Sequence, residues 1–331
     1  MSVAIDTTSA GLGSVSLSAD DVRQTERVAA SVAAASPGLV DDPAWVNAAR
    51  RGWDELPASL RHALRGFRRD SGPSGTLLLR GLPVRDPALP PTPVVNGSVQ
   101  REATVPAALL MSIACGLGDP TSFASEKSGA LVQDVVPVPG REDFQGNAGS
   151  VLLSFHNENA FHPHRPDFVL LICLRADHDG LAGLRTACVR TVLPLLSSGA
   201  REVLSSPQFV TAPPPSFDAG GTGDATTPHP VLSGAPDDPD LRVDLAATEP
   251  LSPQAADALS ELAELFDRTA QTFRLLPQDL VIVDNRVTVH GRTAFQPRYD
   301  GRDRWLQRTF VCADLRRSRA WRPGDGHVLA G

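Results

Sequence analysis

Apolar positions recur at helical spacing through the first part of the chain. Ser18 can cap a run that starts at Ala19, with Asp21 as a weak capping-box partner, and Val22, Val28, Ala29, Val32 and Ala33 share one face. Pro37 and Gly38 close that helix. A second helix is predicted from Pro43 to just before Pro57, and a third over Leu60, Leu64 and Phe67. Leu77, Leu78 and Leu79, between Gly75 and Gly81, read as a buried strand. Residues 84–103 read as an extended loop and Thr104 to Gly116 as an apolar helix. From about residue 130 the pattern shifts to short β-type runs between turn signals: Leu131–Val138, Val151–Phe155, Phe168–Leu174, Phe209–Thr211, Leu280–Val283 and Leu306–Val311. Strands of this length and spacing predict a sandwich or barrel. One long helix interrupts them at roughly 253–274, its apolar stripe being Ala256, Leu259, Leu262, Leu265 and Phe266. The Gly-, Pro- and Thr-rich segment 213–228 is either a surface linker or an active-site lid.

Composition narrows the class. With 41% hydrophobic and 21% charged residues the 331-residue chain is globular. A net charge of −7 argues against a nucleic-acid partner, which would require clustered basic residues. Lys127 is the one lysine among 31 basic residues, a bias toward arginine to which the sequence attaches no function. Cys115, Cys173, Cys188 and Cys312 are too scattered for a disulfide framework or a structural zinc site. The start of the chain lacks the basic and apolar regions of a signal peptide, and the longest apolar run, Phe168 to Leu174, is too short to cross a bilayer. A cytoplasmic protein without a membrane partner is expected.

Two histidines carry the chemistry. His156 and Glu158 lie two apart at the end of a predicted strand, where alternation puts both on one face. His290 follows the apolar strand Leu280–Val283 and the pair Asp284-Asn285, which reads as a turn former. Each alone could be an ordinary surface group. Together they supply two imidazoles and a carboxylate, a facial triad suited to divalent iron, with three positions left for substrate and oxygen. Arg304 and Arg308 share a face of the strand around Leu306. Two inward guanidiniums beside a metal suggest two carboxylate-bearing molecules; a surface ladder with Asp300 and Asp303 is the alternative.

The stretches FHNENAFHPHRPDFVLLICLRADH and VIVDNRVTVHGRTAFQPRYDGRDRWLQRTFV resemble the clavaminate synthase-like Fe(II)/2-oxoglutarate oxygenases, and within them the free L-amino-acid β-hydroxylases acting on arginine, asparagine or lysine. The resemblance implies a mainly β fold with α-helices: a double-stranded β-helix, or jelly roll, with helices packed around it. It implies one oxygenase domain over 1–331, with a mostly helical region 1–118 ahead of a jelly-roll core, 119–331. His156, Glu158 and His290 match the iron triad. Arg304 matches the arginine that grips the far carboxylate of 2-oxoglutarate, with Thr186 near the position of a supporting threonine. Arg308 matches the receptor for the substrate α-carboxylate, Glu126 the partner of the α-amino group, Asn147 a pocket residue, and Asp244 the acid that reads the substrate side chain.

The implied reaction consumes 2-oxoglutarate and O2 on Fe(II) and hydroxylates a free amino acid, first of all at Cβ. Arginine-hydroxylating relatives carry a second acid near the position of Asp244, where this chain has Arg242 and Ala246; an amide side chain such as asparagine is therefore the first expectation, ahead of arginine and lysine. Desaturation or ring closure on the same scaffold, and a non-catalytic or zinc-binding jelly roll, are the alternatives. Asn157, where relatives often have threonine, is not a ligand and is expected to matter little. His162 and His164 are expected in a polar loop or at the entrance, and His178, His62, His229 and His327 show no partner pattern.

Overall fold

The apolar run 168–174 is continuous because its strand is covered on both faces. In the computed structural model, which describes residues 13–85, 87, 89–214, 217 and 226–330, Phe168–Arg175 lies inside an eight-stranded sheet. From one edge the order is Gly13–Ser16, Thr76–Arg80, Leu280–Asp284, Phe168–Arg175, Trp305–Cys312, Asp119–Phe123 and Val328–Leu329, with Gln133–Val135 also paired to Trp305–Cys312. A four-stranded sheet, Gln271–Arg274, Gly183–Cys188, Thr288–Arg292 and Leu153–His156, faces it. Phe168, Leu170, Ile172 and Leu174 point outward into a layer of helices, while Val169, Leu171 and Cys173 point inward and meet Leu184 of the smaller sheet. This is a jelly-roll core with helices on its outer faces.

The outer layer of the larger sheet is Ala19–Ala33, Pro43–Glu55, Ala58–Arg69 and Val105–Leu117. Ser18 caps the first of these, its Oγ accepting from the Asp21 N–H at 3.1 Å. Val105–Leu117 shows no polar face because it is buried almost all round between the other helices and the sheet. Gly116 permits that depth: a Cβ there would lie 2.5 Å from the Trp53 ring. On the other side, Pro253–Thr269 sets Leu262, Leu265 and Phe266 against Phe155, Ala187 and Val289 of the smaller sheet.

Several expectations shift. The helix expected over 253–274 ends at Thr269, and Gln271–Arg274 forms an edge strand on Gly183–Cys188; Ala256 is exposed, its place in the stripe taken by Ala255 and Ala258. The strand expected over Leu131–Val138 shrinks to Gln133–Val135. Short strands that lack an apolar run, Asp119–Phe123, Gly183–Cys188 and Thr288–Arg292 among them, form because a neighbour supplies their hydrogen bonds. The four cysteines are free. Segment 213–228 lies largely outside the described residues. Among the described residues no helix is long and apolar enough to cross a membrane.

Candidate active site

His156 ends the strand Leu153–His156 directly opposite His290 on Thr288–Arg292, their ring centroids 4.4 Å apart. Gly291 makes this approach possible, since a Cβ there would sit 2.5 Å from the Leu153 carbonyl oxygen. His156 Nδ1–H donates to the Ser154 carbonyl at 2.9 Å, which leaves Nε2 as the lone-pair nitrogen.

Glu158 is placed by a different device from the one expected. The strand stops at His156, and Glu158 stands in the following turn, held by two asparagines rather than by strand alternation. Asn157 Nδ2 donates to the carbonyls of Asn285 (2.8 Å) and Thr288 (3.2 Å), and its Oδ1 accepts from Val243 N at 2.9 Å. Asn285 Oδ1 accepts from Glu158 N at 2.8 Å, while its Nδ2 donates to the carbonyls of Glu158 (3.1 Å) and Pro166 (2.9 Å). Asn157, expected to matter little, therefore ties the turn that carries Glu158 to the strand that carries His290. Arg242 adds a third brace, donating to the carbonyls of Ala160 at 2.6 Å and Phe161 at 3.0 Å.

One ligand atom from each of His156, Glu158 and His290 can be chosen so that all lie within 4.8 Å of one another. Two imidazoles and one carboxylate suit a divalent transition metal, and His290 Nε2 faces Glu158 Oε2 at 3.6 Å, beyond hydrogen-bonding distance. The residues fit an iron centre.

Arg304, Leu306, Arg308 and Phe310 face inward from the strand region 304–310. Arg308 is buried and surrounded by acceptors. Nη1 lies 2.9 Å from Glu158 Oε2, Nη2 bonds Glu126 and Gln133, and the Asn147 side-chain oxygen accepts from both terminal nitrogens at 3.1 Å. Among the described residues its Nε has no partner. Burial would raise the Glu158 carboxyl, but Arg308 and the two histidines outweigh it and hold the group below the usual carboxylate range. Glu126 goes the other way: burial raises it, with Arg308 opposing.

Glu126, Asn147, His156, Glu158, Asp244 and Arg308 all line one cavity of roughly 380 Å³, walled by Phe144, Phe161 and Phe217. Asp244 forms an isolated bridge with His156; its Oδ1 accepts from Ala246 N at 2.9 Å. His290, Thr186 and Arg304 lie outside this lining. Thr186 is buried and in register with His290. Arg304 is 6% exposed, its guanidinium carbon 5.9 Å from the Phe295 ring centre, and among the described residues nothing accepts a hydrogen bond from it. Burial pulls its pKa down, opposed in smaller measure by Cys173 and Asp177. A buried cation without an acceptor carries a desolvation cost that an anion beside it would offset. Asp300 and Asp303 pair with His178 and leave Arg304 alone, so the surface-ladder alternative fails. His162 is buried among Phe123, Phe161 and Trp321 and does not line the cavity.

Comparison with known proteins agrees with this constellation. The chain is 65% identical over 315 residues to L-asparagine oxygenase of Streptomyces coelicolor, covering 95% of this chain and 94% of that protein. It is 36% identical over 265 residues to clavaminate synthase 2 of Streptomyces clavuligerus, covering 78% and 80% of the two. A crystal structure of asparagine oxygenase with Fe(II), 2S,3S-3-hydroxyasparagine and succinate superposes with a TM-score of 0.94 at 64% identity, covering 96% of this chain and 99% of that one. The family described as taurine catabolism dioxygenase TauD, TfdA matches residues 74–310, which include the whole four-stranded sheet, most strands of the larger one, both histidines and both inward arginines. With its triad geometry and its sequence in agreement, the protein belongs to the TauD/TfdA dioxygenases.

Proposed function

We propose that this protein hydroxylates Cβ of free L-asparagine, with Fe(II) held by His156, Glu158 and His290 and 2-oxoglutarate anchored by Arg304. The observation that carries the reading is the cavity in which His156 and Glu158, whose ligand atoms gather with that of His290, meet Arg308, Glu126 and Asp244. When bound, iron and the keto acid supply the oxidant: one oxygen atom of O2 goes into succinate, the other into the alcohol, and CO2 leaves.

The protein's part is binding and orientation. Arg304 and Thr186 receive the far carboxylate of 2-oxoglutarate. Arg308, the cation of the cavity, receives the α-carboxylate, and Glu126 accepts from the α-ammonium. Asn147 serves by fixing Arg308, to which its oxygen is already committed. Asp244 keeps a carboxylate oxygen for the side-chain amide N–H, and Phe161 and Phe217 keep water from the reacting carbon. The L-asparagine oxygenase name of the 65% identical relative supports the amide substrate.

The test is succinate release with Fe(II), 2-oxoglutarate and a panel of amino acids. Asparagine should lead the panel, and His156→Ala and His290→Ala should abolish turnover while the circular dichroism spectrum stays native. Amino-acid-independent succinate release, or full activity in either variant, would overturn the reading.

A further inference from the structure

Lys127 is the one lysine among 31 basic residues, and its backbone is as unusual as its occurrence. Lys127, Ser128 and Gly129 have φ of 46°, 54° and 70°, three successive left-handed residues of which two carry a Cβ. Such backbone persists only where its surroundings over-determine it. Here Lys127 Nζ donates to the carbonyls of Ser98, at 3.2 Å, and Asp134. Arg101 holds the Ser128 carbonyl at 3.0 Å, and Ser122 Oγ holds that of Gly129 at 2.7 Å. The turn opens at Glu126, whose carboxylate meets Arg308 in the amino-acid cavity.

We propose that Lys127 is a positioning residue for the amino-acid site: its ammonium locks the left-handed turn 126–129 so that Glu126 is presented to Arg308 and to the substrate α-ammonium. The proposal rests on the reading of Glu126 as the amine receptor. Lysine suits the task because three donors radiate from one atom and can reach carbonyls on two separate segments, whereas a guanidinium is a planar fork. Its side chain lines a second cavity of roughly 260 Å³ that shares Glu126 and Asn147 with the first, so it stands directly behind the receptor. Burial, then Arg308, pushes Lys127 down to about 8, opposed by Asp134, Glu126 and Glu158; these are the charges that face it, with Arg101 reaching the Ser128 carbonyl of the turn from another segment. Above that pH the lock loses its charge.

The experiment is steady-state kinetics on the full chain. Lys127→Met should raise the amino-acid KM roughly tenfold, with kcat and the 2-oxoglutarate KM within about twofold. Lys127→Gly should behave alike, although glycine removes the backbone strain; a role confined to strain would leave it at wild-type KM or better. Lys127→Arg keeps the charge, so the ratio of wild-type to Lys127→Arg KM, in which titration of the substrate amine cancels, should climb above about pH 8. That ratio decides the matter if the other two variants do not fold. An unchanged amino-acid KM in Lys127→Met and Lys127→Gly, or a ratio flat with pH, would overturn the proposal. Glu126→Gln separates the layers: an unchanged KM there refutes the receptor itself, while a raised KM with silent Lys127 variants refutes Lys127 alone.

Discussion

Replacing Arg304 by methionine should strengthen the ligand-free fold and weaken the enzyme. Arg304 is 6% exposed, burial depresses its pKa, and among the described residues its guanidinium has no hydrogen-bond acceptor, so the folded protein bears its desolvation with little return until an anion arrives. Methionine has similar length and no charge. By analogy with buried ionic groups exchanged for apolar ones, the ligand-free variant should gain about 1–4 kcal/mol. The same change deletes a charge-assisted receptor worth about 1.5–3 kcal/mol, which converts to a loss in 2-oxoglutarate affinity of roughly 10- to 140-fold. Urea unfolding, run anaerobically with Fe(II) and with or without 2-oxoglutarate, reads both numbers. Wild type should gain about 2.7 kcal/mol when the keto acid stands at about 100 times its Kd, and Arg304→Met should gain far less at that concentration. Were the ligand-free variant less stable than wild type, Arg304 would be a structural partner rather than an unfilled receptor. Equal stabilisation of both proteins by 2-oxoglutarate would remove it from the co-substrate site.

Three further outcomes follow from the geometry. His162 has its Nε2 unpartnered, and burial, then His164, pushes its pKa to about 4, so the neutral form belongs to the fold; its contribution is complete above the ordinary value of 6.5 and is lost as pH falls from there toward 4. Wild type should therefore lose up to about 3 kcal/mol across that window, and a chemical-denaturation series on His162→Leu should show a flatter profile. Asn285→Ala strands the amide and carbonyl of Glu158 and the carbonyl of Pro166, and should cost about 3–5 kcal/mol in a thermal melt and weaken metal binding in calorimetry roughly 10- to 100-fold; unaltered metal affinity would show that Glu158 holds its place without it. Asp244→Asn, which trades a carboxylate for an amide, should narrow or reverse the preference for asparagine over aspartate in coupled succinate and product assays, and an unchanged ranking would remove Asp244 from side-chain recognition.

The chain's own order of residues was enough for the N-terminal helices, for the strands with continuous apolar runs and for a candidate metal-ligand set, because each is written locally. Ser18 caps within its own turn, the run 168–174 is apolar whichever strands flank it, and His156, Glu158, His290, Arg304 and Arg308 are legible as residue types at telling spacings. What tertiary structure alone decided is how those groups are aimed. The Glu158 amide finds Asn285 across 127 residues of chain, Asn157 reaches 131 residues to Thr288, and Arg242 turns from the pocket to brace carbonyls 82 and 81 residues back. Nothing near Asn157 in sequence distinguishes an idle polar residue from a clamp, and nothing around Lys127 distinguishes a stray lysine from the pin of a left-handed turn. A buried polar group must be satisfied, but the partner that satisfies it is chosen by the packing of distant segments.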